Sequence, residues 1–175
     1  MNNFLAVGSY PRLNESDIRW IDEYRKKNDI YYELMDAHFS FVFPVYDIVA
    51  EDFMYEVKKQ TTGCRKINFE IKCAIRNNDR TNEYWHVLLV PDTGFSDIVK
   101  LHDRLYSGLL KPIERLDLDF IPHIGIGNST NPEECKKMVD EVNAMDINIR
   151  GTIEQIDIIQ LKDGKIGTIG TIPLI

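Results

Sequence analysis

Two histidines in this sequence stand where general acid–base chemistry could be done. Read as a strand, His38-Phe39-Ser40-Phe41-Val42-Phe43 puts His38 and Ser40 on one face and Phe39, Phe41 and Phe43 on the other. The phenylalanine face must be core, which leaves the imidazole and the hydroxyl roughly 6–7 Å apart on the opposite face. In Pro122-His123-Ile124-Gly125-Ile126-Gly127, Ile124 and Ile126 form the core face, while His123, Gly125 and Gly127 share the other. An imidazole, with an ordinary pKa of ~6.5, gives or takes a proton near neutral pH. Two of them on one substrate could act as acid and base.

The elements that must position them can be read from periodicity. Phe4 to Val7 is a short strand ended by the turn-like Gly8-Ser9-Tyr10-Pro11. Asn14 to Lys27 is a helix capped by Asn14, with Asp17 at its positive end and Arg25, Lys26 and Lys27 at its negative end. After the strand from His38 to Phe43 comes a helix over about 48–60, with Val49, Phe53 and Val57 recurring every fourth position. Residues 66–76 alternate apolar and polar as a strand with one buried face. The turn Asn77-Asn78-Asp79 leads to a strand from Tyr84 to Val90. A helix over 95–109 carries the stripe Ile98, Leu101, Leu105 and Leu109.

The strand Pro122 to Gly127 leads into a helix over 132–145, started by Asn131 at N-cap, Pro132 at N1 and Glu134 at N3. Its buried face is Cys135, Met138, Val139, Val142 and Met145. Strands from Thr152 to Leu161 and from Lys165 to Ile172 follow, joined by the hairpin turn Lys162-Asp163-Gly164.

The order of elements repeats although the residues hardly do. Each histidine strand is preceded by a helix and followed by a helix and two strands, at similar offsets, as expected of two related lobes. His38-Phe-Ser40 with Phe43-Pro44, and Pro122-His123-Ile-Gly125-Ile, 85 residues further on, resemble the paired H-x-[T/S]-x motifs of the 2H phosphoesterase superfamily. That superfamily includes the 2′-5′ RNA ligase-like proteins and the cyclic phosphodiesterases.

The resemblance implies an α+β fold: one bilobal domain over 1–175, two pseudo-symmetric lobes of mostly antiparallel sheet with outer helices, and a central cleft. It implies hydrolysis or reversible ligation of 2′,3′-cyclic or 2′-5′ phosphodiesters of RNA ends or small nucleotides, with no metal and no cofactor. His38 and His123 would be the acid/base pair, and Ser40 a phosphate ligand. Gly125 stands where the second motif hydroxyl belongs, so a backbone N–H, a water, Ser129 or Thr130 would have to substitute. A binding protein that has lost catalysis is the alternative.

Composition bounds the partners. The sequence is 43% hydrophobic and 28% charged, as in a soluble globular domain. Its net charge of -7 disfavours long duplex nucleic acid. Cys64, Cys73 and Cys135 form no CxxC pair, which argues for a reducing compartment. Neither a signal peptide nor a membrane-length apolar run is visible, so the expectation is a cytoplasmic protein without a membrane partner. Oligomeric state is not legible.

Other residues have blander readings. His86 reads as a packing or surface histidine and His102 as structural. Asp117, Asp119 and His123 could offer metal ligands at alternating positions, without an evident further one. Lys72 and Arg76 could line the cleft, but a solvated face suits them at least as well. Tyr10 and Trp85 could stack on a base, but aromatics in a chain of this size are usually core. Cys64 has no partner base.

Overall fold

The computed structural model describes residues 3–78 and 82–175; Asp79 of the expected turn lies outside them. In chain order the elements are β1 (Phe4–Ser9), β2 (Arg12–Leu13), α1 (Glu15–Asn28), β3 (Phe39–Val45), α2 (Ala50–Thr61), β4 (Ile67–Asn77) and β5 (Trp85–Thr93). Then come α3 (Phe95–Leu105), β6 (Ile124–Ser129), α4 (Pro132–Asn143), β7 (Ile149–Ile153), β8 (Gln155–Lys162) and β9 (Lys165–Pro173). The fold is α+β, with all strand pairing antiparallel.

The caps work as the sequence indicates. Asn14 accepts from the Asp17 N–H at 2.8 Å, and Asn131 accepts from the Glu133 N–H at 2.8 Å. Glu134 closes the start of α4 through an intermediary. Ser129 donates its hydroxyl to Glu134 at 2.8 Å and accepts from the Asn131 N–H at 3.0 Å.

Two sheets result, in the orders β3-β1-β8-β9 and β2-β7-β4-β5-β6. Each histidine strand is therefore a sheet edge: β3 lies beside β1, and β6 beside β5. The sheets are not the two sequence halves. The units β1-α1-β3-α2 and β5-α3-β6-α4 follow the same path. After α2 the next strand crosses over, whereas after α4 the chain first adds β7 to the same sheet and then crosses. β4 joins the sheet of β6, and β8 joins the sheet of β3.

The expected strand from Thr152 to Leu161 is accordingly two strands in two sheets, parted at Glu154. The recurring isoleucines on both sides of Glu154 hide this break, because Ile153 and Ile156 are both buried in one shared core. That core joins Phe39 and Phe41 of β3, Phe69 and Ile71 of β4, Leu89 of β5, Ile124 and Ile126 of β6, and Ile156 of β8.

Three further expectations need correction. Helix α3 stops at Leu105, and Leu109 is exposed while Leu110 is buried. Gly108 turns the chain at φ 143°, and a Cβ there would lie 1.9 Å from Glu56 Oε1, the oxygen that accepts from the Leu109 N–H at 3.1 Å. Helix α4 stops at Asn143 and leaves Met145 exposed. Phe43 is not core: register shifts between β1 and β3 bury Val42 and turn Phe43 toward the cleft. The two-residue strand β2 is too short for any period to reveal. Among the described residues no helix is long and apolar enough to cross a membrane.

Candidate active site

A cavity of about 450 Å³ lies between the two sheets and is lined by His38, Ser40, His123 and Gly125 together. All four residues singled out by the motifs thus face one space. Each histidine is held in the same way. His38 Nδ1 lies 2.8 Å from the Asp36 carbonyl oxygen, and His123 Nδ1 lies 2.6 Å from that of Ile121. A carbonyl only accepts, so each Nδ1–H must donate, and Nε2 keeps the lone pair in the neutral ring. Two different local sequences, Asp36-Ala37-His38 and Ile121-Pro122-His123, therefore build one brace.

Burial holds the His38 pKa below the ordinary histidine value, and the Arg25 guanidinium pushes the same way. The hydrogen bond to Asp36 and the charges of Asp29 and Asp36 oppose this only in part. The folded chain thus disfavours the imidazolium, and the unfolded chain takes up the proton first as pH falls. His38 leaves stability untouched above its unfolded pKa of ~6.5 and lowers it progressively below that value. In an NMR titration its Cε1–H resonance should titrate below pH ~6.5. A midpoint at or above that value would refute the assignment.

The motif hydroxyl is present on one side alone. Ser40 is half-buried and, among the described residues, its hydroxyl makes no protein hydrogen bond. At Gly125 a Cβ would meet nothing within 4 Å, so the glycine is not there to avoid a clash. Ser129 does not fill the gap, being committed to the start of α4, and neither Ser129 nor Thr130 lines the cavity.

A buried network forms one wall, and the motifs did not disclose it. Arg25 Nε donates to Asp29 Oδ2 at 2.9 Å, with side-chain exposures of 4% and 6%. Arg25 Nη2 donates to the Met35 carbonyl at 2.7 Å. Asp29 Oδ1 accepts from the Tyr31 N–H at 3.0 Å and from Asn128 Nδ2 at 2.8 Å. The network ties α1 to β6 and to the segment that presents the Asp36 carbonyl. Its signal in the sequence is spacing: Arg25 follows the buried Ile21 by one helical turn, and Asp29 follows by another.

The other candidates divide between their two readings. Arg76 lies over the Trp85 ring at 4.4 Å and donates to the Pro132 carbonyl, and Lys72 pairs with Glu70 at 3.1 Å. None of Arg76, Lys72 and Trp85 lines the cavity, and Tyr10 packs beside His38 with ring centroids 6.0 Å apart, also outside it. His86 does line the cavity, as do Asn77 and Asp119. His102 stacks on Phe120 at 3.6 Å and bonds the Phe41 carbonyl through Nδ1 at 2.7 Å, backing the cleft wall.

Asp117, Asp119 and His123 do not gather as ligands, since Asp117 is bound in bidentate fashion by Arg115 at 2.7 and 2.5 Å. Among the described residues the grouping with ligand spacing is His102, Asp103 and Glu114.

The chain and its fold resemble those of known proteins. A family model described as the 2′-5′ RNA ligase superfamily matches residues 13–165. A Geobacillus kaustophilus (strain HTA426) protein named "Putative phosphoesterase GK0864" is 23% identical over 150 residues, covering 82% of each chain. The crystal structure of E. coli LigT complexed with 3′-AMP superposes with a TM-score of 0.59 at 14% identity, covering 99% of both chains. Kluyveromyces marxianus Usb1 gives 0.57 at 8% identity, again over 99% of both. At these identities the two structures speak to the fold, and the family model to descent. The chain belongs to the 2′-5′ RNA ligase superfamily, within the two-histidine phosphoesterases.

Proposed function

We propose that this chain is a cytoplasmic, metal-independent phosphoesterase that opens 2′,3′-cyclic or 2′-5′ phosphodiesters of RNA ends or small nucleotides. The two sheets act as lobes of a single domain over 1–175. The observation that carries the reading is the matched brace: two imidazoles, each with Nδ1–H on a carbonyl two residues back, lining one cavity. His38, kept neutral by burial, is the base. Its Nε2 takes a proton as water oxygen bonds to phosphorus. The P–O bond to the ribose breaks, and His123, entering as imidazolium, gives its proton to the departing alkoxide. Ser40 donates to a phosphoryl oxygen. With a ribose 5′-hydroxyl in place of water as the group that bonds to phosphorus, the same proton transfers and P–O cleavage join two ends through a new phosphodiester.

Related folds support a nucleotide-sized ligand. E. coli LigT has been crystallised with 3′-AMP, NADP+ and ATP, and Kluyveromyces marxianus Usb1 with uridine monophosphate. Gly125 favours a second reading, binding without turnover, because one preorganised donor is missing. Hydrolysis of 2′,3′-cyclic nucleotides and of short RNAs ending in a cyclic phosphate, with chelator present, separates the two. Turnover supports the enzyme; tight binding with no turnover across pH refutes it.

The open space at Gly125 makes the comparison sharper. Gly125→Ser fits without moving a neighbour and should raise kcat about tenfold or more, within the ~10²–10³ that one such donor contributes. An unchanged or lower rate in a folded variant would show that the position no longer faces the phosphate.

A further inference from the structure

The sheet that carries His123 presents a row of polar side chains to the same cavity. Asn77 on β4 pairs with His86 on β5, and His86 pairs with Asn128 on β6. Cross-strand partners project to the same face, and all three line the cavity. The neighbouring pair is Leu88 and Gly125. The polar row therefore lies one step beyond Gly125, on the side away from His123.

The members of the row are not equivalent. Asn128 is committed at both ends, donating to Asp29 at 2.8 Å and accepting from the Ile30 N–H at 3.4 Å. Asn77 is half-buried, and its amide makes no hydrogen bond to any described residue. An amide offers one acceptor and two donors in a plane, a pattern that matches the edge of a nucleobase. It carries no charge for a phosphate. The cavity's guanidinium, that of Arg25, is held by Asp29 and the Met35 carbonyl, so phosphate has no reason to move to this end. The other sheet adds Phe4, Leu161 and Ile166 to the lining, apolar surface suited to a flat ring.

We infer that Asn77 and His86 read the base of the bound nucleotide, making this end of the cleft its specificity site. The inference rests on the cleft holding a nucleotide, as proposed above. The test is calorimetric binding of adenosine, guanosine, cytidine and uridine 3′-monophosphates, with ribose 5-phosphate as the base-free ligand. The unmodified protein should spread the four nucleotides over about tenfold or more in Kd, the scale of one good amide–base pair. Asn77→Ala and His86→Ala should each compress that spread to about twofold while ribose 5-phosphate binds as before. Asn77→Asp, which replaces donors with acceptors, should reorder the four.

Equal affinities in the unmodified protein, or a spread that Asn77→Ala leaves intact, overturns the inference. So does parallel loss of ribose 5-phosphate binding, which would assign Asn77 a structural role. Failure of the catalytic reading looks different: base selectivity persists, and no cyclic phosphate is turned over.

Discussion

Replacing either His38 or His123 with alanine should lower kcat on a 2′,3′-cyclic nucleotide by about 10²–10⁴-fold, the usual contribution of one positioned proton donor or acceptor. Neither ring belongs to the buried core, so both variants should fold. Removing both together should cost far less than the product of the single losses, because base and acid serve one displacement. The two variants also differ in a way that tests the assignment of roles. Loss of His38 removes the base and should abolish the acidic limb of the kcat profile. Loss of His123 removes the acid and should leave that limb in place, because the group that sets it is His38, whose pKa burial lowers. Either variant turning over like the unmodified protein would end the acid–base reading, whatever the binding data say.

Arg25→Ala should be the most damaging substitution for stability away from the apolar core. It strands Asp29, whose side chain is 6% exposed, without its cation and leaves the Met35 carbonyl without its donor. Breaking a buried pair in this way costs about 3–5 kcal/mol. For a chain of this size that is a fall in Tm of about 6–20 °C. Arg25→Met combined with Asp29→Asn removes both charges, keeps an acceptor for Tyr31 and Asn128, and should recover much of the loss. Activity should recover less, because the guanidinium also anchors the segment that presents the Asp36 carbonyl to His38. A change in Tm under about 2 °C for Arg25→Ala would place the pair among the weak surface bridges.

Much of the site was legible because its parts are local. A histidine at a strand start and a small residue two positions on define a face by period alone, and the family motif adds the expectation that two such strands meet. The remainder depends on chain paths that no local pattern carries. Arg76 reads at least as well as a solvated residue as a cleft one, and Asn77 reads as a turn. Strand β4 runs longer than its apolar alternation shows, and its last residue, not its last cation, enters the cavity. His86 reads as a packing or surface histidine because a polar residue between Trp85 and Val87 looks alike on an outer face or a cleft face. The register of β5 against β6 decides between them. The break at Glu154 is hidden for a related reason: isoleucines recur on both sides of it, and the chain stays extended as it passes from one sheet to the other.

That crossover also sets an order in time. As the chain leaves the ribosome, β1 and β3 emerge early, yet the strand that flanks β1 on its other side is β8, which starts at Gln155. The sheet of His123 likewise waits for β7 to cover the outer side of β4. No amino-terminal fragment ending before Gln155 holds both sheets. The two histidines are thus synthesised 85 residues apart, and the sheet that carries the first is completed only by the last segment of the chain. A product truncated before Gln155 carries the whole motif but lacks β8 and β9, and with them the cleft wall that Leu161 and Ile166 supply.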